Sequence, residues 1–263
     1  MKKTEKSGVK EIQPITWTYD SEQKNEGFPW GPHKLPLNMY FEGFSLVVEN
    51  LEQGIYYRRD GRDACVEKTM LTEKGNVLLS PVEPFHRPVG ISTHLLVEFD
   101  RQVVIEPRST RSILVTFPLE LACAVKKQGT GTHVLEIFSL SRTKFTLYGS
   151  IRNGLICKYW KSSVYHSIPK VNPIEQGVMQ LSIQNTSSRW VELNKAAFSA
   201  QGMKIYYSPY LVSMKATIKI INDFSAETNF LDEPLKKGMN KAFEQFTARL
   251  ISLPAKTVME EGY

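Results

Sequence analysis

Ser112-Ile-Leu-Val-Thr-Phe-Pro-Leu-Glu-Leu-Ala-Cys-Ala-Val125 and, after a polar turn, His133-Val-Leu-Glu-Ile-Phe-Ser-Leu-Ser-Arg-Thr-Lys-Phe-Thr-Leu-Tyr-Gly149 decide the fold. The stretch is dense in β-branched, aromatic and aliphatic residues, and its charges are sparse. Gly129-Thr130-Gly131 interrupts it. Apolar runs of this kind, bounded by turn residues, are strands. Their apolar density predicts burial on more than one face. Phe117, Leu119, Phe145, Leu147 and Tyr148 are the expected core.

The flanking sequence extends the pattern in both directions. Before the stretch, Phe44–Glu49, Ile55–Arg59, Val66–Met70, Val77–Leu79 and His94–Phe99 read as strands, with a turn at Asp100-Arg101-Gln102 and a return at Val103–Glu106. Asp60-Gly61 and Asn153-Gly154 are hairpin-type turn dipeptides. Ser80 to Pro88 holds three prolines and reads as a stiff connector that cannot be a central strand. After the stretch, Val178 to Gln184 alternates strictly, with Met179, Leu181 and Ile183 on the buried face. Gly27 to His33 carries no regular element, and Phe28 and Trp30 are placed to pin it to the body.

One helix is expected. Asp232 suits its N-cap, Pro234 its first turn, and Leu235, Met239, Ala242, Phe243, Phe246 and Leu250 recur at helical spacing. The fold class predicted is therefore all-β, mainly antiparallel, as two tandem β-sandwich-like units with one C-terminal α-helix. The expected divisions are an N-terminal arm over residues 1–38, units over 39–150 and 151–225, and a helix and tail over 226–263.

The 263 residues are 41% hydrophobic and 23% charged, which suits a folded domain and excludes a disordered chain. No apolar run approaches the ~20 residues that a spanning helix needs. The basic N-terminus is followed by no apolar segment, so no secretory signal is expected and a cytoplasmic location is predicted. Cys65, Cys123 and Cys157 are widely spaced and form no Cys-x-x-Cys pair, in keeping with small buried hydrophobes in a reducing compartment.

The net charge of +6 is concentrated between residues 151 and 225, where nine basic residues meet only Glu175, Glu192 and Asp223. Those basic residues stand singly, as on the wet face of strands. A solvated face is the plain reading, an anionic partner the functional one, and nucleic acid is the less expected of the anionic partners.

No glycine-rich phosphate loop, nucleophile elbow or His-Glu-x-x-His helix occurs, and no cofactor is expected. Glu83, His86 and His94 contain the residue types of a zinc set, but the spacing is not diagnostic and no metal is predicted. Charged residues set among apolar ones carry more information. Glu120, Glu136 and Lys158 lie inside apolar runs, and Arg142 and Lys144 precede Phe145. A buried carboxylate needs a partner, so ion pairs are expected. The functional alternative is a ligand-binding site of Glu83, His86, Glu120, Arg142, Lys144 and Lys158 at the junction of the two β units. Five of these, Glu83, His86, Glu120, Arg142 and Lys144, make the enzyme alternative. The first reading is a non-enzymatic β-sandwich module binding a protein or an anionic ligand.

Several blocks carry a resemblance. Thr116-Phe117-Pro118-Leu119-Glu120, Phe138-Ser139-Leu140, Lys144-Phe145-Thr146-Leu147-Tyr148-Gly149 and Gly154-Leu155-Ile156-Cys157-Lys158-Tyr159 resemble an archaeal family of unknown function, domain of unknown function 432. Pro81-Val82-Glu83-Pro84 and Ser163-Val164-Tyr165 fit it too. The similarity covers roughly Phe44 to Ile221. Arginine is common in that family where Lys158 stands, a departure that keeps the charge. The resemblance implies an archaeal source and no mechanism.

Overall fold

Strands whose side chains alternate between core and solvent must pair in sheets, and sheets with one apolar face must pack on another. The computed structural model describes residues 15–18, 27–41, 43–61, 64–72, 75–127, 131–142, 144–200, 202–222, 225–244 and 257–259. Four sheets form. The first orders β1 (Ile15–Thr18), β3 (Leu37–Phe41), β4 (Phe44–Leu51), β5 (Gly54–Asp60) and β6 (Cys65–Met70). The second orders β11 (Gly131–Phe138), β10 (Glu120–Lys127), β7 (Asn76–Val82) and β2 (Gly31–His33).

The third orders β12 (Phe145–Tyr148), β13 (Leu155–Ser162), β8 (His94–Ile105) and β15 (Val191–Ser199). The fourth, of seven strands, runs β19 (Asn240–Lys241), β16 (Tyr206–Ser208), β17 (Leu211–Asn222), β14 (Gln176–Asn185) and β9 (Ser109–Pro118). In it β18 (Ser225–Leu231) pairs with both β17 and β20 (Thr257–Met259). Most pairings are antiparallel; β1 with β3, β13 with β8 and β14 with β17 are parallel.

Two large apolar cores hold these sheets. Leu37, Leu46, Tyr57, Leu79, Cys123 and Phe138 belong to the core between the first two sheets. Leu95, Phe117, Met179, Phe198, Ile218 and Met259 belong to the core between the other two. Trp30 packs against both, its ring tilted against Phe28 at 4.3 Å and against Tyr207 at 6.2 Å between ring centroids. The chain passes from the fourth sheet to the second inside the apolar stretch that decides the fold, because β9 ends at Pro118 and β10 starts at Glu120. Gly177 lies opposite Phe117 in the β14–β9 register, and a Cβ there would come within 2.4 Å of the Phe117 ring. The glycine is what lets this aromatic lie flat across the core.

The all-β, mainly antiparallel class is the observed one, and some local expectations need correction. Phe117, Leu119 and Tyr148 are buried, but Phe145 and Leu147 are 38% and 42% exposed. They sit on β12, the edge strand of its sheet, where one flank of the strand lacks a neighbour. The residues read as a turn at Asp100 lie inside one continuous strand, β8, which bulges where Val103 pairs Leu193 and Glu98 pairs Lys195. Pro81 belongs to β7, opposite Leu121. The proline is tolerated because β2 pairs with β7 only as far as Leu79, so no donor is required of it. Gly31–His33, read as irregular, forms a three-residue edge strand.

The described residues contain no helix. Residues 234–239 form bends and turns, followed by β19, and Asp232 takes Lys241 as an ion-pair partner at 2.8 Å. The rest of the predicted helix, residues 245–250, lies outside the described residues. Phe243 packs against Val82, Ala122 and Ile137 on the outer face of the second sheet, and its amide donates to Ser80 Oγ.

Candidate functional site

Strand pairing brings four of the six candidate residues together. Glu120 opens β10 with no exposed surface, and Lys158 on β13 is 3% exposed. Their charged groups meet at 2.9 Å. The Glu120 carboxylate also accepts the backbone N–H of His86 at 2.9 Å and of Arg87 at 3.2 Å, while Lys158 Nζ donates to the Arg87 carbonyl. The Arg87 guanidinium donates to the Ile137 carbonyl at 2.7 Å. This knot ties the proline connector and β10 of one sandwich to β13 of the other. Glu83 and His86 stand beside it, 3.7 Å apart, and Glu83 Oε2 makes no hydrogen bond among the described residues.

Arg142 and Lys144 are exposed, and none of the bonds to Glu120 comes from them. Lys144 meets β13 through its backbone only, its carbonyl accepting the Tyr159 amide. His94 lies on β8, its Nδ1 3.2 Å from Thr93 Oγ1. Among the described residues no three His, Cys, Asp or Glu side chains are grouped to hold a metal.

A second buried pair lies in the first sandwich. Glu136 accepts two bonds from Arg59, at 2.8 and 2.9 Å, and one from Tyr57 Oη at 2.6 Å. The Arg59 guanidinium also sits over the rings of Phe44 and Phe138, 5.7 and 5.3 Å from their centroids. Burial, with the Glu136 carboxylate that it bonds, raises the Tyr57 hydroxyl above its usual range, so it stays a donor. The sequence marked Glu136 and missed both partners. The signal was present: Tyr57 and Arg59 are two apart on β5, hence on one face, with apolar neighbours.

The outward face of the fourth sheet carries a groove of about 360 Å³ lined by Thr110, Ser182, Gln184, Thr217, Lys219 and Asn229, with Glu227. Lys219 stands directly opposite Glu227 in the β17–β18 register, which balances its charge. The same balancing runs through the basic segment. Lys204 pairs with Glu244 at 2.7 Å and Lys215 with Glu233 at 3.1 Å. Acidic residues after position 225 therefore return beside the basic ones before it.

Another basic set lies around a hairpin, with Arg152 as its member from this segment. β12 and β13 form a hairpin whose turn, residues 149–154, closes through Gly154 N–H to the Ser150 carbonyl at 2.6 Å. Gly149 turns at φ +95°, a conformation open to glycine. Arg142 and Lys144 lead into the hairpin, Arg152 is in its turn, and Arg87 is held beside it through Lys158. All four are exposed, and no ion pair among the described residues neutralises them. No Asp or Glu occurs from 84 to 97 or from 137 to 174.

The fold and these features define a class: an all-β protein of two packed sandwiches, joined by a saturated ion pair, with a basic hairpin at one end. The chain belongs to the family described as "Protein of unknown function (DUF432)", whose model matches residues 29–261. No curated protein and no solved structure matches it.

Proposed function

We propose that this protein is a non-enzymatic β-sandwich module that binds an anionic partner through the basic face around the β12–β13 hairpin. The observation that supports the reading is the exposed, unneutralised set Arg87, Arg142, Lys144 and Arg152, carried on two stretches of chain, 84–97 and 137–174, that contain no Asp or Glu. Such a set gives a local positive potential that steers anions to one end of the molecule. The enzyme alternative draws on Glu83, His86, Glu120, Arg142 and Lys144. It requires side chains free to meet a substrate, whereas Glu120 and Lys158 are buried against each other. A cytoplasmic location is supported by three free cysteines, of which Cys123 and Cys157 are buried. No helix among the described residues is long and apolar enough to cross a membrane. An archaeal source is supported by the resemblance of the Phe117–Tyr159 blocks.

The test is binding of the full chain to fluorescently labelled heparin, used as a probe polyanion. The wild type binds at low salt, and the triple charge reversal Arg142→Glu, Lys144→Glu, Arg152→Glu abolishes binding. Equal binding by the two proteins refutes this placement of the site.

A further inference from the structure

We propose that the tip of the β12–β13 hairpin is an anchor for an anionic lipid surface. The inference rests on the anionic-partner reading and names the partner. Ile151, in the turn, is 95% exposed. Behind it Leu147 and Ile156 stand opposite each other on one face of the hairpin, and Leu155 is exposed on the other face, opposite buried Tyr148. The connector beside the tip adds Val89, 77% exposed, and Ile91. It is fixed there by Ser92 Oγ, which donates to the Ile156 carbonyl at 2.5 Å. These residues lie at one end of the third sheet, because β13 runs parallel to β8 with Cys157 beside His94.

Two features favour a lipid surface over a protein groove. The exposed apolar side chains occupy the tip and both faces of the hairpin end, where Leu155 and Ile156 run past the start of β8 while Tyr148 beside Leu155 is held in the core. A protein groove covers one face of such an end, whereas a fluid interface meets the tip and every exposed side chain around it. The basic residues are also placed as a headgroup layer requires. Arg152 is beside the apolar tip, and Arg142, Lys144 and Arg87 stand behind it. Long basic side chains at that level reach anionic headgroups while apolar neighbours enter the acyl boundary. A carboxylate there would be repelled, and none is found from 84 to 97 or from 137 to 174.

The experiment is co-sedimentation of the full chain with vesicles of phosphatidylcholine alone and of phosphatidylcholine with phosphatidylserine, alongside heparin binding. The wild type sediments with the anionic vesicles and not with the neutral ones. Ile151→Ser, which removes the apolar side chain without adding charge, lowers vesicle partitioning on the order of tenfold and leaves heparin binding intact. The triple charge reversal loses both. Ile151 is solvent-exposed, so the variant keeps the wild-type melting curve, which circular dichroism checks. Vesicle binding unchanged by Ile151→Ser overturns the lipid anchor. Binding of heparin without anionic vesicles overturns the anchor and leaves the anionic-partner reading standing; binding of neither overturns both. A concentration-dependent dimer in light scattering, dispersed by Ile151→Ser, assigns the tip to a second copy of the chain and also overturns the anchor.

Discussion

Glu120 and Glu136 are each a lone charged residue in an apolar run, and each accepts three hydrogen bonds. Removing one partner of such a pair strands the other charge without water. Lys158→Met, which keeps the aliphatic stem, is expected to cost about 3–5 kcal/mol, measured by urea unfolding; a cost near zero contradicts the knot. The histidines give a pH dependence. Burial lowers the pKa of His33 and His94 below the ordinary 6.5, against a Pro29 carbonyl that partly offsets it for His33. Below about 6.5 the unfolded chain takes up protons that the folded protein refuses, so this stability is full above that pH and is lost as the pH falls toward the folded pKa. His33→Gln with His94→Gln should flatten the decline in stability between pH 7 and 5. Equal slopes for variant and wild type count against burial of these rings. At this scale the sequence showed which charges needed partners, since a lone Glu in an apolar run is visible. It did not show the partners, because Lys158 and Arg59 reach their carboxylates across separate sheets.

Elements were legible where alternation was clean. Strand β14 alternates as read, with Met179, Leu181 and Ile183 buried and Gln184 exposed. The asparagine that closes it, Asn185, holds the turn that follows. Its buried amide donates to the carbonyls of Ile105, Glu106 and Arg189, and its Oδ1 accepts from Ser187. Strand β12 was misjudged because apolar content says nothing about which strand ends a sheet. Phe117 and Phe145 therefore make a matched test. Phe117→Ala empties a fully buried site and should cost about 3–5 kcal/mol, whereas Phe145→Ala on the edge should cost under about 1 kcal/mol. Similar losses for the two would contradict the assignment of β12 to the rim. The bends of residues 234–239 had the residue spacing of a helix; strand pairing of Asn240 and Lys241 with β16 overrides that periodicity.

Across the whole molecule, the two large cores are fed by interleaved segments. The chain contributes residues 28–79 to one core, 85–119 largely to the other, 121–138 to the first again, and most later residues to the second. With Glu120, Lys158 and Trp30 bridging them, the sandwiches should unfold together. Tryptophan fluorescence and far-ultraviolet circular dichroism are then expected to give coincident urea transitions, and two separated transitions would contradict that coupling. The overall charge was legible as a segment but not as a surface. Carboxylates of β18 and the following turns lie beside Lys204, Lys215 and Lys219, while Arg152 stays exposed in the β12–β13 turn, next to Arg142 and Lys144 that precede it in the chain. The central claim is that this hairpin, and not the buried knot, is where the protein meets its partner. The most direct measurement is the salt dependence of heparin binding by the full chain and by the Arg142→Glu, Lys144→Glu, Arg152→Glu variant. Log affinity of the wild type is predicted to fall linearly with log salt, as counterions are released, and the variant is predicted to lose that slope. A salt slope unchanged by the three reversals, or no binding by the wild type even at low salt, would contradict the claim.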